Sequence, residues 1–168
     1  MNASAHPTMA LRPFLRSDVP VLGEIFRASI EELTVDDYSE AQREAWAAAA
    51  ADEEVFGKRL ATELTLLATI NGSPAGFASL KGNDRIDMLY VHPAAAGQGV
   101  GTMLVDALEK LAAARGALRL SADVSDSAQE FFRRRGFVPQ QRNSIRCGDE
   151  WLANTTMEKT IRAKEAAR

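Results

Sequence analysis

Residues Gly97-Gln98-Gly99-Val100-Gly101-Thr102 place three glycines at alternate positions, directly before a run with helical apolar spacing. The first amides of a helix have no intrahelical carbonyl to bond, and the helix dipole favours negative charge there. Glycine carries no Cβ, so an anion can approach the main chain closely. The chemistry indicated is capture of a phosphate or diphosphate by backbone N–H groups. The turn does not read as a P-loop, because it lacks the Gly-Lys-Ser/Thr ending whose lysine and hydroxyl reach phosphate and Mg²⁺. A dinucleotide fingerprint needs its third glycine three positions after the second. Here Gly101 follows Gly99 by two. Asp123 imitates the ribose-binding acid of that fold, but the fold carries its motif in the first strand–helix–strand unit, and here a run of hairpins comes first.

The elements around the turn are set by periodicity. Residues 85–91 read as an apolar strand that stops before Pro93, and the helix after the turn spans about 99–115, with Gly116 ending it. Upstream, 11–15 is expected as a strand. Ser17 is expected to cap a helix running to about 33, with Pro20 in its first turn. Ser39 and Gln42 form a capping box for a helix to about 50, and a third helix covers 53–62. Strands at 64–70 and 75–81 flank Asn71-Gly72, a strong two-residue hairpin signal. Downstream come a strand at 118–124, a helix at 125–135 capped by Ser125 or Asp126, and a closing hairpin of 137–147 and 150–161. The strand–turn–helix–strand unit around Gly97 should be a right-handed parallel crossover.

The 168 residues suit one domain, here 9–161, with a disordered extension at 1–8 and a polar tail at 162–168. No apolar run is long enough for a membrane span, and 1–8 lacks the pattern of a signal peptide. The net charge of −3 argues against nucleic acid as partner. The short basic run Arg133-Arg134-Arg135 reads as a solvated helix end. One cysteine, Cys147, allows no internal disulfide, so a reducing cytoplasm is expected. His6, His92 and one cysteine make no metal cluster, and no metal is expected. His92 reads as a strand terminator and Cys147 as a half-buried strand residue.

The segment Asp87-Met-Leu-Tyr-Val-His-Pro93 followed by Gly97-Gln-Gly-Val-Gly101 resembles the acetyl-CoA motif of the GCN5-related N-acetyltransferases (GNAT). Ser125-Asp-Ser-Ala128 through Phe131-Phe132 to Gly136-Phe137 resembles the later motif of that family. Asp37-Tyr-Ser39, Gln42, Trp46 and Met157-Glu-Lys159 resemble a bacterial, YafP-like branch. The likeness implies an α/β (α+β) domain with a mixed, mostly antiparallel sheet of six or seven strands, flanked by helices and splayed at an acetyl-CoA cleft. It implies that backbone at Leu89, Tyr90 and Val91 pairs with pantetheine, and that the Leu89 N–H meets the thioester oxygen. Gly97, Gln98, Gly99, Val100, Gly101 and Thr102 would hold the diphosphate, with Ser125, Ser127, Phe131 and Phe132 completing the cofactor site. The family pattern has Arg or Gln where this chain has Ala96.

The implied reaction moves acetyl from acetyl-CoA to the primary amine of a small molecule or peptide by direct attack in a ternary complex. Asp87 is the first candidate base, with Glu31 and Glu32 behind it. Many relatives carry a tyrosine acid where this chain has Phe132, so Tyr90 or Ser127 would protonate the thiolate, or it leaves unaided. Glu31, Tyr38 and Trp46 are candidates for the acceptor pocket. Two other functions stay open, a non-catalytic acyl-CoA sensor and a toxin-like acetyltransferase acting on aminoacyl-tRNA. Oligomeric state is open too, a homodimer included.

Overall fold

The computed structural model describes residues 6–161. Residues 1–5 of the expected extension and the tail 162–168 lie outside them. Thr8 is pinned rather than loose: its N–H donates to Asn71 Oδ1 at 2.9 Å, and its carbonyl accepts from Asn71 N–H at 2.8 Å.

The chain runs β1 (Met9–Pro13), α1 (Val19–Leu33), α2 (Glu40–Ala47), α3 (Glu53–Thr62), β2 (Leu64–Ile70), β3 (Ser73–Lys81), β4 (Arg85–Val91), α4 (Val100–Ala114), β5 (Arg119–Ser125), α5 (Gln129–Arg134), β6 (Val138–Cys147) and β7 (Glu150–Thr160). One seven-stranded sheet has the order β1-β2-β3-β4-β5-β7-β6, and β4–β5 is its parallel pair. This is the mixed, mostly antiparallel sheet expected. Leu104, Leu108, Leu120, Phe137 and Met157 form the core on the α4 and α5 face. Leu22, Phe26, Phe56, Leu60, Phe77 and Met88 form the core under α1–α3. Burying apolar area on both faces is what fixes such a layered domain.

Local chemistry explains most boundaries. Ser39 Oγ accepts from Gln42 N–H at 3.1 Å while Gln42 Oε1 accepts from Ser39 N–H at 2.9 Å, so the capping box forms. Asn71 and Gly72 both have positive φ, 50° and 84°, as a hairpin turn of the right twist requires. Two caps differ from expectation. Ser17 lies inside a short 3-10 turn, and α1 starts after Asp18, whose carboxylate is committed to Leu15 N–H and to Arg12. Neither Ser125 nor Asp126 caps a helix with its side chain. A 3-10 turn at Asp126–Ala128 precedes a shorter α5, because the Asp126 carboxylate is held by Arg142 at 2.6 and 3.0 Å.

Candidate functional site

β4 and β5 share two rungs, Arg85↔Ser121 and Ile86↔Ala122, and then diverge. The gap is a cavity of about 700 Å³. Met88 to Val91 form one wall, and Ala122 to Ser125 with Phe131 and Phe132 form the other. Ser29, Ile30 and Leu33 of α1 cover it, and the glycine bend forms its mouth. The N–H of His92 donates back to Ala75 O at 2.8 Å, toward β3. Strand alternation therefore aims the N–H groups of Val91 and Leu89 into the gap.

The bend leaves a row of amides without partners. Ala95 N–H bonds His92 O and Ala96 N–H bonds Pro93 O. The next backbone N–H to find a main-chain carbonyl is Met103, on Gly99 O at 3.0 Å. Gly97 through Thr102 thus present six N–H groups with no main-chain acceptor among the described residues, at the positive end of α4. Gly97 and Gly99 adopt φ of 77° and 88°, which an L side chain resists. Gly101 is needed for a different reason: a Cβ there would lie 3.3 Å from Phe131 Cζ. The Gln98 side chain turns back to Ala94 O at 3.2 Å and stays outside the cavity, so only its amide can serve. The cradle offers a diphosphate a row of main-chain donors, with Ala96 adding no side-chain contact.

A cluster of ionisable side chains lies below α1 and α3. The β3–β4 register skips Asp87, pairing Leu80↔Ile86 and Ser79↔Met88, so Asp87 is the extra residue of a bulge at the point where the strands separate. Bulges re-aim side chains in this way. Its Oδ2 accepts from Arg59 Nε and Nη2 at 3.0 and 2.9 Å. Beside it stands Glu63, held by the Ser79 hydroxyl at 2.8 Å. Burial, then the adjacent Asp87, pushes the Glu63 carboxyl up to about 7. Burial acts upward on Asp87 too, but the Glu63 hydrogen bond and Arg59 outweigh it and hold Asp87 below the usual range. Of the two carboxyls, Glu63 is therefore the one that keeps its proton toward neutral pH and Asp87 the one that ionises first. Tyr90 packs on Phe26 and Phe77 and accepts from Trp46 Nε1 at 3.2 Å. Burial pushes its hydroxyl up to about 12, so it keeps its proton at neutral pH.

Most expected site residues meet at this cavity: Asp87, Leu89, Tyr90, Val91, the bend except the Gln98 side chain, Ser125, Ser127, Phe131, Phe132 and Trp46. Two do not. Tyr38 is buried, and its hydroxyl donates to Ala153 O at 2.6 Å and accepts from Asp126 N–H at 2.9 Å, so it ties β7 to the turn after β5 and is not part of this cavity's lining. Glu31 is exposed on α1 outside the lining, because its neighbours Ile30 and Ser29 take the inward face. The Ser127 hydroxyl donates to Asp37 at 2.8 Å, which commits its proton away from the cleft. His92 Nδ1 accepts from Ala94 N–H at 3.0 Å, and the Cys147 thiol, raised by burial, donates to Ala45 O. Sequence reading missed Arg59 and Glu63. Each is more than twenty residues from Asp87, and no local pattern links them.

Comparison with known proteins gives a consistent result. The family model described as acetyltransferase (GNAT) domain matches residues 34–161. The chain is 31% identical over 147 residues to the uncharacterized N-acetyltransferase YafP of Escherichia coli K12, covering 88% of this chain and 93% of that protein. A crystal structure of a GCN5-related N-acetyltransferase from Rhodopseudomonas palustris is 60% identical, with a TM-score of 0.90, over 95% of this chain and 99% of that one. The PaiA N-acetyltransferase of Thermoplasma acidophilum in complex with coenzyme A is 21% identical, with a TM-score of 0.76 over 91% and 99%, a likeness of fold.

Proposed function

The chain belongs to the GNAT acetyltransferases and is an acetyl-CoA-dependent acyltransferase, and we propose that it acetylates the primary amine of a small molecule by direct attack in a ternary complex. The observation that carries this reading is the row of six unbonded amides at the mouth of a cleft whose wall offers two more from Leu89 and Val91.

Acetyl-CoA supplies an activated thioester. The chain's own groups do the rest. Amides of Gly97 to Thr102 grip the diphosphate, and backbone at Leu89 and Val91 extends the sheet along pantetheine. The Leu89 N–H lies where the acyl oxygen gains charge; a lost donor of this kind costs about 3–4 kcal/mol of barrier. Asp87, ionised and already in the cleft, takes the proton of the incoming ammonium, directly or through one water. Tyr90 is the donor for the leaving thiolate, since Phe132 has no hydroxyl, and the second amine proton, released as the amide forms, restores the Tyr90 hydroxyl. Ser127 contributes backbone and shape to the cofactor wall. Ile30, Leu33 and Trp46 offer the acceptor an apolar seat beside one carboxylate, and no Lys or Arg lines the cavity. A neutral or cationic amine with an apolar body suits that surface better than an amino acid carboxylate does. The lone Cys147 is suited to a reducing cytoplasm.

Two measurements test the reading. Acetyl-CoA at about a hundred times its Kd should add about 2.7 kcal/mol of stability in a thermal-shift assay. Thiol release across a panel of apolar primary amines should then show turnover. Tight binding with no turnover on any amine would make the protein an acyl-CoA sensor instead.

A further inference from the structure

Arg135 closes α5 and differs from its two neighbours. Arg133 and Arg134 reach Glu130 at 4.0 and 3.1 Å. Arg135 has no carboxylate partner among the described residues. Its guanidinium lies 4.7 Å from the Phe131 ring centroid, and one terminal nitrogen donates to Thr102 Oγ1. Its Nε is buried and without a hydrogen-bond partner. That atom is closed to any ligand, but Nη1 has no hydrogen-bond partner among the described residues and is not buried, so the cation keeps an open donor for an acceptor.

Phe131 and Thr102 both line the cleft, and Thr102 supplies the last of the six unbonded amides. A guanidinium has donors only, so Thr102 Oγ1 must accept in their bond. The hydroxyl proton of Thr102 is therefore left to donate elsewhere. The charged residues lining the cavity are Asp87 and Asp123, both acids, and Ala96 brings no charge. A diphosphate seated at the bend would meet no counter-charge from the lining itself.

We propose that Arg135 is the cationic anchor of the coenzyme A diphosphate, held flat by Phe131 and oriented by Thr102. This rests on the assignment of the cleft to acetyl-CoA. The basic run then splits by role: Arg133 and Arg134 are solvated helix-end charges, and Arg135 serves the ligand.

Calorimetric titration of the full chain with coenzyme A, 3′-dephospho-coenzyme A and pantetheine tests it, on wild type, Arg135→Gln, Arg135→Lys and Thr102→Val. Loss of a charge-assisted bond should weaken coenzyme A and its dephospho form alike, about tenfold or more, in Arg135→Gln. Pantetheine affinity should not change, and Arg135→Lys should recover part of the loss. Added salt should weaken wild type more than Arg135→Gln. Equal coenzyme A affinity in wild type and Arg135→Gln overturns the proposal and leaves Arg135 as a packing residue, with the cleft assignment intact. A loss confined to coenzyme A and absent with the dephospho form also overturns it, since the cation would then serve the 3′-phosphate. Should Arg135→Gln fail to fold by circular dichroism, Arg135→Lys and Thr102→Val decide: unchanged affinity in both refutes the anchor. Wild type that binds no coenzyme A sinks the cleft assignment and this proposal together.

Discussion

Replacing Tyr38 by phenylalanine removes one oxygen and leaves the ring in place. That oxygen joins three segments: the loop after α1, the Ala153 carbonyl of β7 and the Asp126 amide that begins the turn after β5. Tyr38 is 5% exposed, so water cannot easily replace both bonds. At about 1–1.5 kcal/mol for each lost bond, the variant should be about 2–3 kcal/mol less stable. For a chain of this size that lowers Tm by about 5–10 °C. The functional effect has a direction as well. The Asp126 turn carries Ser127, Ala128 and Phe131 into the donor side of the cleft, so KM for acetyl-CoA should rise. KM for the acceptor should hardly move, because the ring that packs on Trp46 stays in place. Thermal unfolding and steady-state kinetics with both substrates varied would decide. An unchanged Tm with a raised acceptor KM would return Tyr38 to the acceptor pocket and refute the structural role argued here.

Gly101→Ala should crowd Phe131, at about 1–2 kcal/mol, while better helix propensity returns about 1; Tm should shift little while coenzyme A affinity drops, as read by titration. Asp87→Asn should cut kcat by about 10²–10⁴ with little change in coenzyme A affinity, measured by thiol release and calorimetry. Glu63→Gln should alter stability against pH in a definite direction. Its folded-state carboxyl titrates near 7 against 4.5 unfolded, so its stabilising contribution is complete below 4.5 and disappears as pH rises through 7. Wild type should therefore lose more Tm between pH 5 and pH 8 than Glu63→Gln does, in parallel melts.

The parts of this molecule written in local pattern were legible. Asn71-Gly72, the Ser39–Gln42 box and the strands β2 and β4 each depend on neighbours a few residues away, and each formed where expected. The glycine bend was legible too, although its third glycine answers to Phe131 rather than to a ligand. What failed depended on distant partners. Asp18 displaced Ser17 as the group that organises the entry to α1 because Arg12 and Leu15 compete for its carboxylate. Asp126 was taken from helix capping by Arg142. Tyr38 looked like a pocket aromatic until β7 folded over it. The pairing of Asp87 with Arg59 and Glu63 needs a bulge that no alternation of side chains announces.

The two halves of the sheet meet at β4 and β5 along a very short seam. Two rungs, the bond from Ser121 N–H to Asp84 O at 2.9 Å and the Arg85–Asp123 ion pair hold it. A donor lying against Leu89 and Val91 on one side and Phe131 on the other acts as a fastener between them. Slower deuterium uptake in the ligand-bound protein should therefore extend past the contact residues into both flanking strands. Release of the spent carrier would unfasten the same joint, so the thermodynamics of closing are tied to the cycle of turnover.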